Sequence, residues 1–112
     1  MTLIPLQEDR RTIAKGFRKA PLFAFLDEGQ IIVQENTHRQ ERSPAFFEYF
    51  KTLGVDTLYI KDLGYKTFLK LHQMGVSVYL VTEAERYNRI RPDELLLLDP
   101  ETAKVHCTMG HR

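Results

Sequence analysis

Cysteine occurs once in the chain, at Cys107. That excludes an internal disulfide framework and leaves a thiol suited to a reducing compartment. No apolar run approaches the roughly 20 residues of a membrane-spanning helix, and Met1–Leu6 is too short, and too soon followed by charge, to be the apolar core of a signal peptide. A cytoplasmic protein with no membrane partner is expected. An excess of one charge is also missing: 16 Lys and Arg stand against 15 Asp and Glu, a formal net charge of +1. The bulk field of a general nucleic-acid binder is therefore absent. Internal repeats are lacking, which excludes a solenoid. Serine is sparse, Cys107 has no base and orienting acid at usable spacing, and the glycines and lysine–serine pair of a phosphate loop are not there. The chain is expected not to be an enzyme.

What is present fits one globular domain over residues 1–112, with 43% hydrophobic and 28% charged residues. The central stretch, Gly54 to Leu80, reads as an apolar strand, a short loop with Lys61, Asp62 and Gly64, a helix, a glycine stop at Gly75 and a second apolar strand. Such a strand–helix–strand unit makes the fold class α/β with a parallel pair, closed by a right-handed crossover. Ahead of it, Thr2–Leu6, Leu22–Leu26 and Gln30–Gln34 predict a three-stranded meander, with Asp27-Glu28-Gly29 as a hairpin turn. Glu35–Arg42 carries no apolar residue and reads as a loop. Ser43 and Pro44 then supply an N-cap and a first-turn proline to a helix with Phe46, Phe47, Phe50 and Leu53 on one face. After the parallel pair, a helix is expected from Thr82 or Glu83 to about Ile90, stopped by Pro92. Leu95–Leu98 suits either a buried helix end or a strand. The turn signal at Asp99-Pro100-Glu101-Thr102 favours a C-terminal hairpin with Lys104–Thr108.

Two segments carry a family likeness. Phe17, Ala20, Pro21 and Phe23, followed by Asp27 and Gly29, match a His-Phe-Gly-Arg-Ala-Pro-x-Phe pattern and the turn after it. Leu63 and Gly64 match the end of a Gly-Gly-Ile-Gly turn that opens a helix, and Gly75, Val76, Val78 and Tyr79 match the Gly-Ile-x-Val-Tyr that closes it. Over about the first 80 residues the chain resembles a divergent member of the dinitrogenase iron-molybdenum cofactor biosynthesis family. The resemblance implies a ribonuclease H-like three-layer fold with a mixed central sheet and no nuclease activity. It also implies a non-enzymatic accessory role, connected with nitrogen fixation, in binding or carrying an iron-sulfur or iron-molybdenum cofactor species. Gly16 stands in place of the family's histidine, Arg18 in place of a glycine, and Lys19 in place of the arginine. Lys61 and Asp62 replace the two leading glycines, and Tyr65 replaces a proline. The lost histidine removes a metal donor, and the lost glycines add side chains where a cluster needs room.

The candidate site follows from these positions. Lys61-Asp62-Leu63-Gly64 lies at the end of a parallel strand and the start of a helix, where backbone N–H groups and the helix dipole favour an anion; the alternative is a solvated turn with an Asp cap. Lys15, Arg18 and Lys19, with Arg10 and Arg11 upstream, form a basic cluster suited to an anionic cluster, a phosphate or an acidic, metallocluster-assembly partner; the alternative is a solvated charged connection. The expected anion-binding set is Arg18, Lys19, Lys61, Asp62 and Gly64, which requires both turns to meet at one rim of the sheet. A second candidate, a transition-metal site, is formed by His106, Cys107 and His111 in the tail, with an ordinary terminus as its alternative. His38 and His72 read as surface or packing residues. Asp27, Glu48, Asp56 and Asp62 form a carboxylate set only by analogy with the fold.

Overall fold

Residues 1–107 are described by a computed structural model. In chain order the elements are β1 (Thr2–Leu6), β2 (Leu22–Asp27), β3 (Gln30–Glu35), α1 (Ser43–Lys51), β4 (Thr57–Ile60), α2 (Tyr65–Gln73), β5 (Ser77–Val81), β6 (Leu95–Leu97) and α3 (Pro100–His106). The six strands form one mixed sheet in the order β3-β2-β1-β4-β5-β6. β1 pairs parallel with β4 and β4 with β5, whereas β1–β2, β2–β3 and β5–β6 are antiparallel. A radius of gyration of 12.9 Å matches the roughly 13 Å of a single compact domain of this length.

The meander and the central crossover form as their residues predict. Between β2 and β3 the loop is Glu28-Gly29, both at positive φ (49° and 80°), the geometry of a type I′ turn whose twist suits the two strands. α2 begins after Gly64 and ends at Met74, followed by Gly75 at φ 82°, the left-handed position glycine takes at a helix end. α1 starts one residue earlier than the Ser-Pro signal indicates: Ser43 is already helical, and Arg42 is the N-cap without a side-chain cap bond.

Alternation along the strands sorts the apolar residues into two clusters. Leu3, Phe23, Phe25, Leu58, Ile60 and Val78 face the larger one, which contains Phe46, Phe47 and Phe50 of α1, Phe68 and Leu71 of α2 and Ala103 of α3. All three helices thus cover one face. The other face presents Ile4, Leu6, Leu22, Ala24 and Val81 to Ile13, Ala84, Tyr87 and Ile90. The expected third layer is therefore not a helical layer. It is an irregular strap, residues 82–94, with single 3-10 turns at Tyr87–Arg89 and Pro92–Glu94.

The helix expected from Thr82 or Glu83 to Ile90 is replaced because other groups hold its backbone. The buried carboxylate of Glu94 accepts from the N–H of Glu83 and Ala84 at 3.0 and 2.9 Å. Glu85 C=O accepts from Ile13 N–H, and Arg11 C=O accepts from Tyr87 N–H. The apolar contacts come at Ala84, Tyr87 and Ile90, every third residue, a spacing that drifts off one face of a 3.6-residue helix.

The C-terminal hairpin is likewise corrected. Leu95–Leu97 pairs antiparallel with β5, and Lys104 lies inside α3. Asp99-Pro100-Glu101-Thr102 is a capping box. Asp99 Oδ1 accepts from Glu101 and Thr102 N–H, and Thr102 Oγ1 accepts from Asp99 N–H. Proline at the first helical position completes the start signal. The same residue types mark turns, which is why the pattern reads both ways. No helix among the described residues is long and apolar enough to cross a membrane.

Candidate functional site

The topology itself selects a rim. The chain leaves β1 toward β2 on one side and leaves the neighbouring parallel strand β4 toward β5 on the other. Open α/β sheets form a crevice where neighbouring connections diverge in this way. α1 leads into the start of β4 and α2 leaves its end, so both bring their N-termini to this rim.

A cleft of about 620 Å³ lies there, bounded by Ser43, Pro44, Phe47, Glu48 and Lys51 on α1, by Gly64, Lys66, Thr67 and Lys70 at α2, and by Arg18. Four cations face one carboxylate. Glu48 pairs with Lys51 at 3.2 Å, and among the described residues no carboxylate lies within ion-pair distance of Lys66 or Lys70. Neither helix has an acidic residue in its first turn or a side-chain N-cap bond. The first-turn N–H groups and the dipoles therefore add to the positive field.

Arg18 is positioned from beneath. Phe17 is buried against Phe23, Phe46 and Phe50, with ring centroids 5.3–5.9 Å apart. Buried Asn36 donates to the backbone carbonyls of Arg18 at 2.7 Å and Ala20 at 3.0 Å. The turn is held on both sides, and the Arg18 guanidinium reaches Glu41 C=O at 3.4 Å.

The expected anion set is divided by this geometry. Arg18 and Gly64 share the cleft. Lys19 is exposed and is not among the residues bounding it. Lys61 turns toward the strap, donating to Ala84 C=O at 2.8 Å and lying 3.7 Å from Glu85. Asp62 accepts from Leu63 N–H at 2.8 Å, while α2 itself has no side-chain cap. Lys66 and Lys70, on a helix whose lysines read from the sequence as solvated, line the cleft together with Lys51. Their one advance signal is the i, i+4 lysine pair near the start of α2, which becomes legible once α1 is known to lie parallel beside it.

In the tail, His106 is exposed and Cys107 is buried; His111 lies outside the described residues. Burial, with Asp62 nearby, raises the Cys107 thiol above its usual range, which disfavours the thiolate a metal requires. Among the described residues no group of three His, Cys, Asp or Glu is placed to hold a metal ion, and that includes the carboxylates considered by analogy. His38 stacks on Tyr49 at 3.8 Å and His72 on Phe68 at 5.5 Å. Of the positions carrying the family likeness, Phe17, Ala20, Phe23, Leu63, Val76 and Val78 are all core residues. Much of what is matched is scaffold, and of the departures Arg18 lines the cleft.

Fold and rim together define a mixed α/β domain with a cationic cleft at the divergence of its central parallel strands. No protein-family model matches the chain, and no curated protein matches it. Solved structures do. The crystal structure of PH0822 aligns with a TM-score of 0.68 at 18% identity, covering 86% of this chain and 92% of that one. The NMR structure of a Thermotoga protein of the DUF35 family, described as a "putative NifB protein", aligns at 0.60 with 25% identity over 78% of this chain and 79% of that one. A Methanocaldococcus jannaschii protein described as a "putative dinitrogenase" aligns at 0.62 with 15% identity, covering 88% and 93%. These likenesses establish a common fold, and at 25% identity a loose, divergent link to the Thermotoga protein.

Proposed function

We propose that the chain is a non-enzymatic accessory protein of nitrogenase-related metallocluster handling, built on a ribonuclease H-like sheet, and that it holds an anionic iron-sulfur or iron-molybdenum species as cargo in the cleft between α1 and α2. The observation that carries this reading is the convergence of Arg18, Lys51, Lys66 and Lys70 with two uncapped helix N-termini around one recess. The strand order and the names of the structural neighbours support the same reading.

The residues present fit the charge of such a cargo and not its coordination sphere. The cleft lining offers guanidinium, ammonium and backbone N–H donors, and among the described residues it contains neither thiolate nor imidazole. The cargo is accordingly held through its anionic periphery by charge-assisted hydrogen bonds, keeping the ligands it brings with it. The same lining favours, as a second reading, the acidic surface of a cluster-assembly partner docking over the exposed lysines.

Anaerobic equilibrium dialysis against a synthetic iron-sulfur cluster dianion capped with exogenous thiols, followed by iron and sulfide analysis, tests the proposal. Iron and sulfide retained in constant ratio by the wild type, and reduced about tenfold in Arg18→Ala/Lys70→Ala, is the expected result. No retention, or retention indifferent to both substitutions, overturns cargo binding in the cleft. In that case, capture of an acidic assembly protein that depends on the same lysines favours the docking reading.

A further inference from the structure

Of the exposed large hydrophobic residues, Ile31 and Ile32 are neighbours on β3, 40% and 55% exposed, and β3 is an edge of the sheet. Edge strands are ordinarily blunted by lysine, proline, a bulge or shortness. β3 has none of these: it runs six residues, QIIVQE, in unbroken register with β2. The opposite edge, β6, has three residues and is flanked by the Pro92 turn and by Pro100.

The hairpin fixes which backbone groups of β3 are free. A two-residue turn closes on a hydrogen-bonded pair, Asp27 with Gln30, so Gln30, Ile32 and Gln34 bond inward. The Asn36 N–H bond to Pro21 C=O continues that parity. The N–H and C=O of Ile31, Val33 and Glu35 therefore point away from the sheet.

We propose that β3 is a homodimerisation edge, where a second copy of the chain adds its own β3 antiparallel about a two-fold axis at Ile32. In this register Ile31 exchanges backbone bonds with Val33 of the other copy, and the symmetric pair does the same. Ile32 faces its own counterpart at the closer, non-hydrogen-bonded spacing. Gln30 meets Gln34, and the strand's only charge, Glu35, meets Gly29. Apolar residues meet apolar residues on both faces of the joined sheet, and no like charges stand directly opposed. A register centred on Val33 instead sets Glu35 against Ile31 and Gln34 against Ile32. Self-complementarity of this kind is what an isologous interface requires, and it picks a second copy over a foreign strand.

Light scattering and sedimentation of the full chain over a range of concentrations, joined to cysteine cross-linking, test the pairing. Ile32→Lys is expected to leave the far-ultraviolet circular dichroism unchanged and to weaken the dimer about tenfold or more, because it sets two ammonium groups opposite each other. Directly opposed Ile32 positions have Cα atoms about 4.5 Å apart, within disulfide range, whereas the two Gln30 positions are roughly 13 Å apart. Under oxidised glutathione, Ile32→Cys is expected to give a covalent dimer, while Gln30→Cys and the wild type, whose Cys107 is buried, are not. A chain that stays monomeric throughout, a dimer indifferent to Ile32→Lys, or linkage as efficient through Gln30→Cys as through Ile32→Cys overturns the proposal. The cross-linking arm decides the case even if Ile32→Lys fails to fold.

Discussion

Against one face of the sheet the chain lays three helices and a cluster of phenylalanines, and against the other it lays irregular backbone from 82 to 94, organised around one carboxylate. The first cover satisfies its own hydrogen bonds inside its helices and adheres through apolar area alone. The second has no internal ladder, so its polar groups are met one at a time: Glu94 takes the N–H groups of Glu83 and Ala84, Thr82 Oγ1 donates to Glu94 C=O, and Lys61 takes Ala84 C=O. Covering a sheet with a helix costs little in sequence specificity. Covering it with a strap requires particular residues, and that makes the cover sensitive to pH.

The largest effect is expected on the helical face. Phe46 is fully buried and touches Phe17, Phe23, Phe47 and Phe50. Phe46→Ala should lower unfolding free energy by about 3–5 kcal/mol, measured by denaturant titration, with a loss that stays constant between pH 7 and 4. A loss that varied with pH would mean that the phenylalanine cluster and the strap do not act as separate covers.

The strap should respond in the opposite manner. Glu94 is 8% exposed, and its carboxylate is held below the usual 4.5, first by the Ala84 N–H and then, against the cost of burial, by Glu83 and Arg91. A depressed folded value stabilises the protein fully above pH 4.5, and that contribution is lost as pH falls through the folded value. Glu94→Ala leaves the N–H groups of Glu83, Ala84 and Arg91 without their acceptor and should cost about 2–3 kcal/mol at neutral pH. Glu94→Gln keeps an acceptor, and should lower stability less at pH 7 while flattening the acid limb. Melting curves from pH 7 to 3 check both. An unflattened limb in Glu94→Gln would assign acid sensitivity to a different carboxylate.

The same contrast explains what was legible in the residues. Helices α1 and α2 and the parallel strands between and after them advertise themselves through local periodicity and glycine stops, because their hydrogen bonds are local and their apolar residues recur at one period. The strap is determined by contacts with Arg11, Ile13 and Lys61, distant in sequence, and its threefold spacing passes for a short helix. Asp99-Pro100 was visible as a signal but not as a helix start, since capping and turning use the same side chains. At the rim, Arg18 draws attention in the sequence because it sits in a basic turn. Lys66 and Lys70 give no such signal, because a lysine on a helix reads as solvated until a second helix is known to run alongside it.

Lys61 and Lys70 sharpen the comparison at its smallest scale, since one loop and one helix send cations to the strap and to the cleft respectively. Lys61 is 18% exposed at its side chain, and its ammonium is committed to Ala84 C=O and Glu85; Lys70 faces the recess. Lys61→Met preserves the packed stem and removes the tether, so it should cost about 1 kcal/mol of stability while leaving affinity for the cluster dianion within about twofold of wild type, because the charge is already neutralised by its partners. Lys70→Met should leave the melting temperature almost unchanged and weaken dianion binding about threefold or more. Dialysis and thermal melts on the two variants separate the roles. Equal loss of binding in both would place the Lys61 ammonium in the cleft's field and dissolve the division between the strap and the site.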